Sequence, residues 1–226
     1  MDVLVVTDSR GRGLSQLIHQ EQRLNYWNIK VAYLPSSSLE KLAVEVIQEE
    51  ARAHYDRIII FGGICSLTEK VTIGREKRLH YTLDNNREQK VRGVIDTITD
   101  LYHRLPGKVS VCTIPPASLI KYYTVYNPGK DLPIQLEEEQ EQLLEDIGNI
   151  NNIIRDQNRL AEQKTINTAS RVYKHSIKRY KNQNRTRRVT RFTDKDLPDG
   201  VHCTEKVKRE IHGIIIADIL KYGGAY

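Results

Sequence analysis

Short β-branched apolar runs alternate along the chain with longer stretches of helical period, and that alternation predicts a parallel sheet covered by helices on both faces. Val3–Val6 is the expected first strand, followed by a helix from Gly11 to about Tyr26 and a strand around Ile29–Leu34. Pro35-Ser36-Ser37-Ser38 offers a turn and an N-cap for a helix whose apolar positions continue through Leu39, Leu42, Val44, Val46 and Ile47. Arg57-Ile58-Ile59-Ile60-Phe61 has almost no polar position, as a central strand buried on both faces requires. Beyond Gly62-Gly63 the pattern weakens, and an irregular or hairpin-like insertion is expected near 68–88, before a helix over Val91–Arg104. Lys108–Ile114 predicts a further strand, stopped by Pro115-Pro116. Leu136 to about Ala161 predicts a long helix with Glu137, Glu138 and Glu139 where the helix dipole favours negative charge. A last short strand is expected from Ile166, and a closing helix over Lys206–Lys221, capped by Thr204, buries Val207, Ile211, Ile214, Ile215 and Ile219. The expected fold class is α/β, a three-layer αβα sandwich with a roughly five-stranded parallel sheet.

Composition narrows the setting. At 226 residues and 39% hydrophobic the chain can bury a large core, and one domain over 1–226 is expected. The start, Met1-Asp2-Val3-Leu4-Val5-Val6, is too short and too acidic for a signal peptide, and no apolar run approaches the roughly 18 residues of a membrane span. Cys65, Cys112 and Cys203 are odd in number and lack paired metal-ligand spacing, which argues against a disulfide framework or a zinc site. An intracellular, reducing location is expected, with cytoplasm and nucleus undistinguished.

Two motifs at opposite ends carry candidate chemistry: Thr7-Asp8-Ser9-Arg10-Gly11 after the first apolar run, and Asp199-Gly200-Val201-His202 before the last helix. A hydroxyl nucleophile needs a histidine to take its proton and a carboxylate to hold that histidine in the right tautomer, and Ser9, His202 and Asp199 supply these three roles. Each motif alone has a plainer reading. Asp-Ser after a strand is an ordinary helix cap, and Asp-Gly an ordinary turn. Their joint placement is stronger, because both fall outside the carboxyl ends of the strands, where open α/β sheets bind ligands. Asp8 reads as a cap, and Cys203 as a small packed side chain, since adjacent residues point apart and His202 takes the site. Gly11 and Gly13 lack the Gly-Lys-Ser/Thr of a phosphate loop. A flavodoxin-like or receiver module shares the sheet order but leaves the terminal Asp-x-x-His unexplained.

With strand, Asp-Ser and helix at the start and Asp-x-x-His and helix at the end, most of the chain resembles the SGNH (GDSL-type) hydrolase superfamily. That resemblance implies a flavodoxin-like sheet and four blocks converging at its carboxyl ends. Ser9 matches the nucleophile, Ser36 a glycine whose amide enters the oxyanion hole, Cys65 the asparagine of a Gly-x-Asn block, and Asp199 with His202 the last block. Ser36 keeps the N–H that a glycine would offer. Cys65 replaces a carboxamide with a weak thiol donor, and losing one oxyanion donor costs about 100- to 1000-fold in turnover. Three outcomes are open: another donor substitutes, the enzyme is slow, or the fold serves binding. The run Gly63-Ile64-Cys65-Ser66-Leu67-Thr68 is similar to a divergent branch, the esterase-like domains of metazoan mobile elements.

Charge adds a second feature. Arg171, Lys174, Lys178, Arg179, Lys181, Arg185, Arg187, Arg188 and Arg191 occur within 171–191 without one Asp or Glu. Against a whole-chain charge of +6, these nine leave the remainder at −3. Arg179, Lys181, Arg185, Arg187 and Arg188 are the candidate contacts to nucleic acid or another anionic surface, with Tyr173 and Tyr180 available to stack. The plainer reading is a solvated loop. The leading functional expectation is a serine esterase cleaving a small acyl ester with no metal or organic cofactor, its oxyanion held by the Ser9 and Ser36 amides with Cys65 beside them. The alternative is a catalytically silent binding or assembly module of the same fold. Oligomeric state is not encoded in any of these motifs.

Overall fold

The computed structural model describes residues 1–81, 86–180 and 185–222, and for 174–180 and 185–191 the backbone alone. In order the chain forms β1 (Asp2–Thr7), α1 (Leu14–Gln20), β2 (Asn28–Tyr33), α2 (Leu39–Arg52), β3 (Arg57–Phe61), α3 (Ile64–Leu67), a hairpin of β4 (Glu69–Ile73) and β5 (Glu76–His80), α4 (Asn86–Arg104), β6 (Val109–Val111), α5 (Leu119–Tyr126), α6 (Leu136–Leu160), a hairpin of β7 (Tyr173–Tyr180) and β8 (Arg185–Phe192), and α7 (Glu205–Tyr222). Four strands make one parallel sheet in the order β2-β1-β3-β6.

Alternation along the strands divides the core in two, since successive side chains point to opposite faces of a sheet. Leu4, Val6, Ile58 and Ile60 pack with apolar residues of α2, α4, α5 and α6 on one face. Val3, Val5, Ile59 and Phe61 pack with those of α1 and α7 on the other. All five residues of β3 are buried, which is why its sequence has no solvent-facing register. Among the described residues, no helix is long and apolar enough to cross a membrane.

The expected helix from Gly11 to Tyr26 is interrupted. A 3-10 turn covers Ser9–Gly11, α1 is short, and a second 3-10 turn covers Gln22–Leu24. Gly13 in the left-handed region (φ 87°) separates the first turn from α1, and extended Glu21 accepts the Arg23 N–H to start the next turn. Of the expected insertion near 68–88, Glu69–His80 forms the β4–β5 hairpin, bound to α5 by Asn127, which accepts the Lys77 N–H (2.9 Å) and donates to the Lys77 carbonyl (2.8 Å). Residues 82–85 lie outside the described residues, and α4 already begins at Asn86. Asp146 of α6 accepts from Tyr81 and, in bidentate fashion, from Arg87, tying both residues to the same helix.

Among the described residues the sheet has four strands instead of about five, and the outer edge of β6 is satisfied largely by side chains. Thr113 N–H donates to the Ile166 carbonyl (3.1 Å), but Ile166 does not continue into a strand. Buried amides of α6 take over the rest. Asn151 bonds both the N–H (2.6 Å) and the carbonyl (3.0 Å) of Ile114, Asn158 donates to Val111 O (3.2 Å), and Gln140 bonds Ala117 O and Leu119 N. Buried backbone groups require such partners. Asn151→Leu strands both groups of Ile114, and an unpaired buried group costs about 1–3 kcal/mol. Urea unfolding is expected to show a loss of about 2–3 kcal/mol. Unchanged stability would mean the carboxamides are not what closes this edge.

Candidate active site

Ser9 opens the 3-10 turn that follows β1, so its side chain stands at the carboxyl end of the sheet. Asp8, wholly buried, folds that turn. Its Oδ1 accepts the Arg10 N–H (2.9 Å), and its Oδ2 accepts the Gly63 N–H (3.3 Å) from the end of β3. Burial pushes the Asp8 carboxyl up, opposed by the Arg10 charge and by these N–H groups. Asp8 is therefore a cap that also ties two strand ends together. A Cβ on Gly11 would lie 2.1 Å from Thr7 Oγ1, and one on Gly62 2.8 Å from Asp8 Oδ2, so both positions need glycine for the turn to close.

Asp199 organises the other half. Its Oδ1 accepts the N–H groups of Val201 (2.9 Å) and His202 (2.7 Å), and its Oδ2 accepts from His202 Nδ1 (2.6 Å). The neighbouring Gly200 has φ 81°, and a Cβ there would lie 2.4 Å from Ser118 O, the edge of a loop that also bonds Gly200 O (2.7 Å). Burial works to raise the Asp199 carboxyl, but the bonds from the His202 side chain and the two backbone N–H groups outweigh it and hold it well below its ordinary range. An ionised carboxylate at Nδ1 requires a proton on that nitrogen. Nε2 is then a free acceptor, and it lies 3.1 Å from Ser9 Oγ, across 193 residues of sequence.

The three residues expected from the sequence thus form one continuous hydrogen-bonded chain. Ser9 and His202 border a cavity of about 200 Å³ walled by Phe61, Cys203 and Ile211 and edged by Arg12 and by the Lys208–Glu205 ion pair (2.8 Å). Ser36 lies in the turn after β2, and its φ of 58° is the left-handed conformation that favours glycine. Among the described residues no hydrogen-bond acceptor is recorded for the Ser9 or Ser36 N–H. Cys65 is the second residue of α3, just after β3, half-buried, its thiol pushed up by burial and by the Asp8 carboxylate, and among the described residues it has no bond to Ser9 or His202. All three cysteines are free.

Two residues of the site carry no signature in the sequence. Arg10 is buried and donates to the carbonyls of Pro115 and Pro116 (3.1 Å for the second), bracing the Ser9 turn against the chain after β6. His212 of α7 lies buried behind the same turn, 3.5 Å from the Arg10 carbonyl, its pKa lowered by burial. Their partners lie over 100 residues away in the chain, so no local spacing reveals them.

Of the basic segment, Arg171 lies 3.7 Å from Glu210, and Tyr173 meets Phe192 edge-on at 6.1 Å. Arg179, Arg185, Arg187 and Arg188 fall on the backbone of β7 and β8, their side chains outside the described residues, and Lys181 lies outside them altogether. Residues 173–180 and 185–192 pair as an antiparallel ribbon, where a solvated loop is the plainer expectation.

No protein-family model matches the sequence, and no curated protein matches it either. Solved structures do match. A lipase/acylhydrolase from Enterococcus faecalis aligns over 98% of this chain and 97% of its own at 14% identity, with a TM-score of 0.60. A GDSL-like lipase from Bacteroides thetaiotaomicron covers 98% and 88% at 12% identity (TM-score 0.61), and a variant of an acetyl xylan esterase from Geobacillus stearothermophilus covers 97% and 93% at 10% identity (TM-score 0.56). The chain shares the fold of these lipases and esterases over 97–98% of its length.

The depressed Asp199 carboxyl has a consequence for pH. A carboxyl lowered on folding contributes stability that is complete above its ordinary value near 3.8 and is lost as pH falls toward the folded value. The stability difference between wild type and Asp199→Asn is therefore expected to stay level above about pH 4 and to narrow steadily below it. Urea unfolding at a series of pH values measures this, and a difference that persists unchanged into acid would contradict the assignment.

Proposed function

We propose that the protein is a serine ester hydrolase that removes a small, acetyl-type acyl group through an acyl-enzyme on Ser9. The observation that carries this reading is the hydrogen-bonded chain from Asp199 through His202 to Ser9. In it His202 Nε2 takes the Ser9 proton as Oγ attacks the ester carbonyl, and Asp199 stabilises the imidazolium that results. The carbonyl carbon gains its bond to Oγ and loses the alcohol, to which His202 returns the proton. Water then attacks the acyl-enzyme by the same route, releasing a carboxylic acid and restoring Ser9. The unpartnered N–H groups of Ser9 and Ser36 are the oxyanion donors in this account.

Two features support a short acyl group. The cavity beside Ser9, at about 200 Å³, falls below the roughly 300–1,000 Å³ of pockets that hold drug-sized ligands. One structural neighbour is itself described as an acetyl xylan esterase. The alcohol is left unassigned by these observations. Cys65 favours the rival reading of a silent binding module, since a thiol is a weak donor where a carboxamide would be strong.

Hydrolysis of 4-nitrophenyl acetate separates the two readings. Ser9→Ala is expected to remove turnover with the fold intact, while Cys65→Asn raises kcat about tenfold or more by adding a donor to the oxyanion. Undiminished activity in Ser9→Ala would remove the mechanism, and a folded wild type with no activity above buffer would favour the binding module.

A further inference from the structure

The register of the β7–β8 ribbon sorts its charges. Opposite residues of an antiparallel pair share a face, and the pairs are Lys174 with Arg191, Ser176 with Val189, Lys178 with Arg187 and Tyr180 with Arg185 on one side. The other side holds Tyr173 with Phe192, His175 with Thr190, Ile177 with Arg188 and Arg179 with Thr186. Five cations thus fall on the first face and two on the second. The second face is the one rooted on the core, where Tyr173 and Phe192 pack beneath the ribbon. The cationic face is the opposite one.

This arrangement works against the ribbon itself. Lys174 faces Arg191 and Lys178 faces Arg187, and like charges placed directly opposite destabilise a strand pair. A two-stranded ribbon is marginal on its own, and residues 171–191 contain no acid to compensate. A bound polyanion would supply the missing countercharge.

We propose that this face of the β7–β8 ribbon binds nucleic acid through its phosphates, independently of the chemistry at Ser9. A ribbon two strands wide fits against a nucleic-acid groove, and Tyr180 shares the cationic face, where a base can stack. A membrane surface is the weaker match, because binding there buries apolar side chains and this face offers Val189 and Tyr180 alone. The residues of the face are Lys174, Lys178, Arg185, Arg187 and Arg191.

Fluorescence anisotropy with a labelled 20-base-pair DNA duplex and a 20-nucleotide single-stranded RNA tests this on the whole protein, across a salt series. The logarithm of affinity is expected to fall with the logarithm of salt at a slope near one per phosphate contact, about 4 in all for the duplex. Two double variants remove equal charge from opposite faces. Arg185→Gln with Arg187→Gln is expected to weaken binding about tenfold or more and to lower the slope by about two, while Arg179→Gln with Arg188→Gln changes both much less. Unfolding temperatures of both variants check that the fold is kept. Equal loss in the two variants, displacement by polyglutamate as readily as by nucleic acid, or binding confined to phosphatidylserine vesicles would each overturn the proposal.

Discussion

The site depends on how one carboxylate is shared. Asp199 spends one oxygen on the backbone N–H groups of Val201 and His202 and the other on the His202 ring, so the same group that folds the loop also aims the imidazole. The spacing of Asp-x-x-His is what makes this double use feasible within a single turn. Asp8 does the equivalent at the other end of the chain, joining the turn after β1 to the turn after β3. Parallel pairing of β1 with β3 brings those two turns to the same end of the sheet, and packing of α7 under that end brings His202 to Ser9.

Much of this was legible along the chain because local rules govern it. The unbroken apolar run of β3 and the acidic start of α6 appear in the structure where the pattern places them. The Ser9–His202–Asp199 set was legible for a different reason: strand-to-helix junctions in an α/β sheet converge, so motifs at two junctions are neighbours in space. What escaped the pattern depends on distant partners. A last short strand is expected from Ile166, whereas the edge of β6 is closed by Asn151 and Asn158, residues that in sequence look like the polar face of a helix. α5 was missed because Pro115-Pro116 announces an end and its aromatic residues, Tyr122, Tyr123 and Tyr126, carry little helical preference. Arg10 and His212 brace the Ser9 turn through contacts that no spacing encodes.

The departures from the resemblance bear unequally on chemistry. Ser36 adopts the left-handed conformation that a glycine would hold at less cost. Cys65, which the resemblance sets against an asparagine, offers a thiol in place of a carboxamide. A fold can be retained while its use shifts, and the identities of 10–14% with the neighbours cited leave the activity to be decided at the site itself.

The decisive measurement is reaction of the purified protein with a fluorophosphonate probe, with the adduct located by peptide mass. A serine activated by His202 is expected to carry the adduct at Ser9, in wild type and not in His202→Ala. A folded wild type that remains unlabelled, or one labelled equally well without His202, would contradict the claim that this chain of three residues makes a nucleophile.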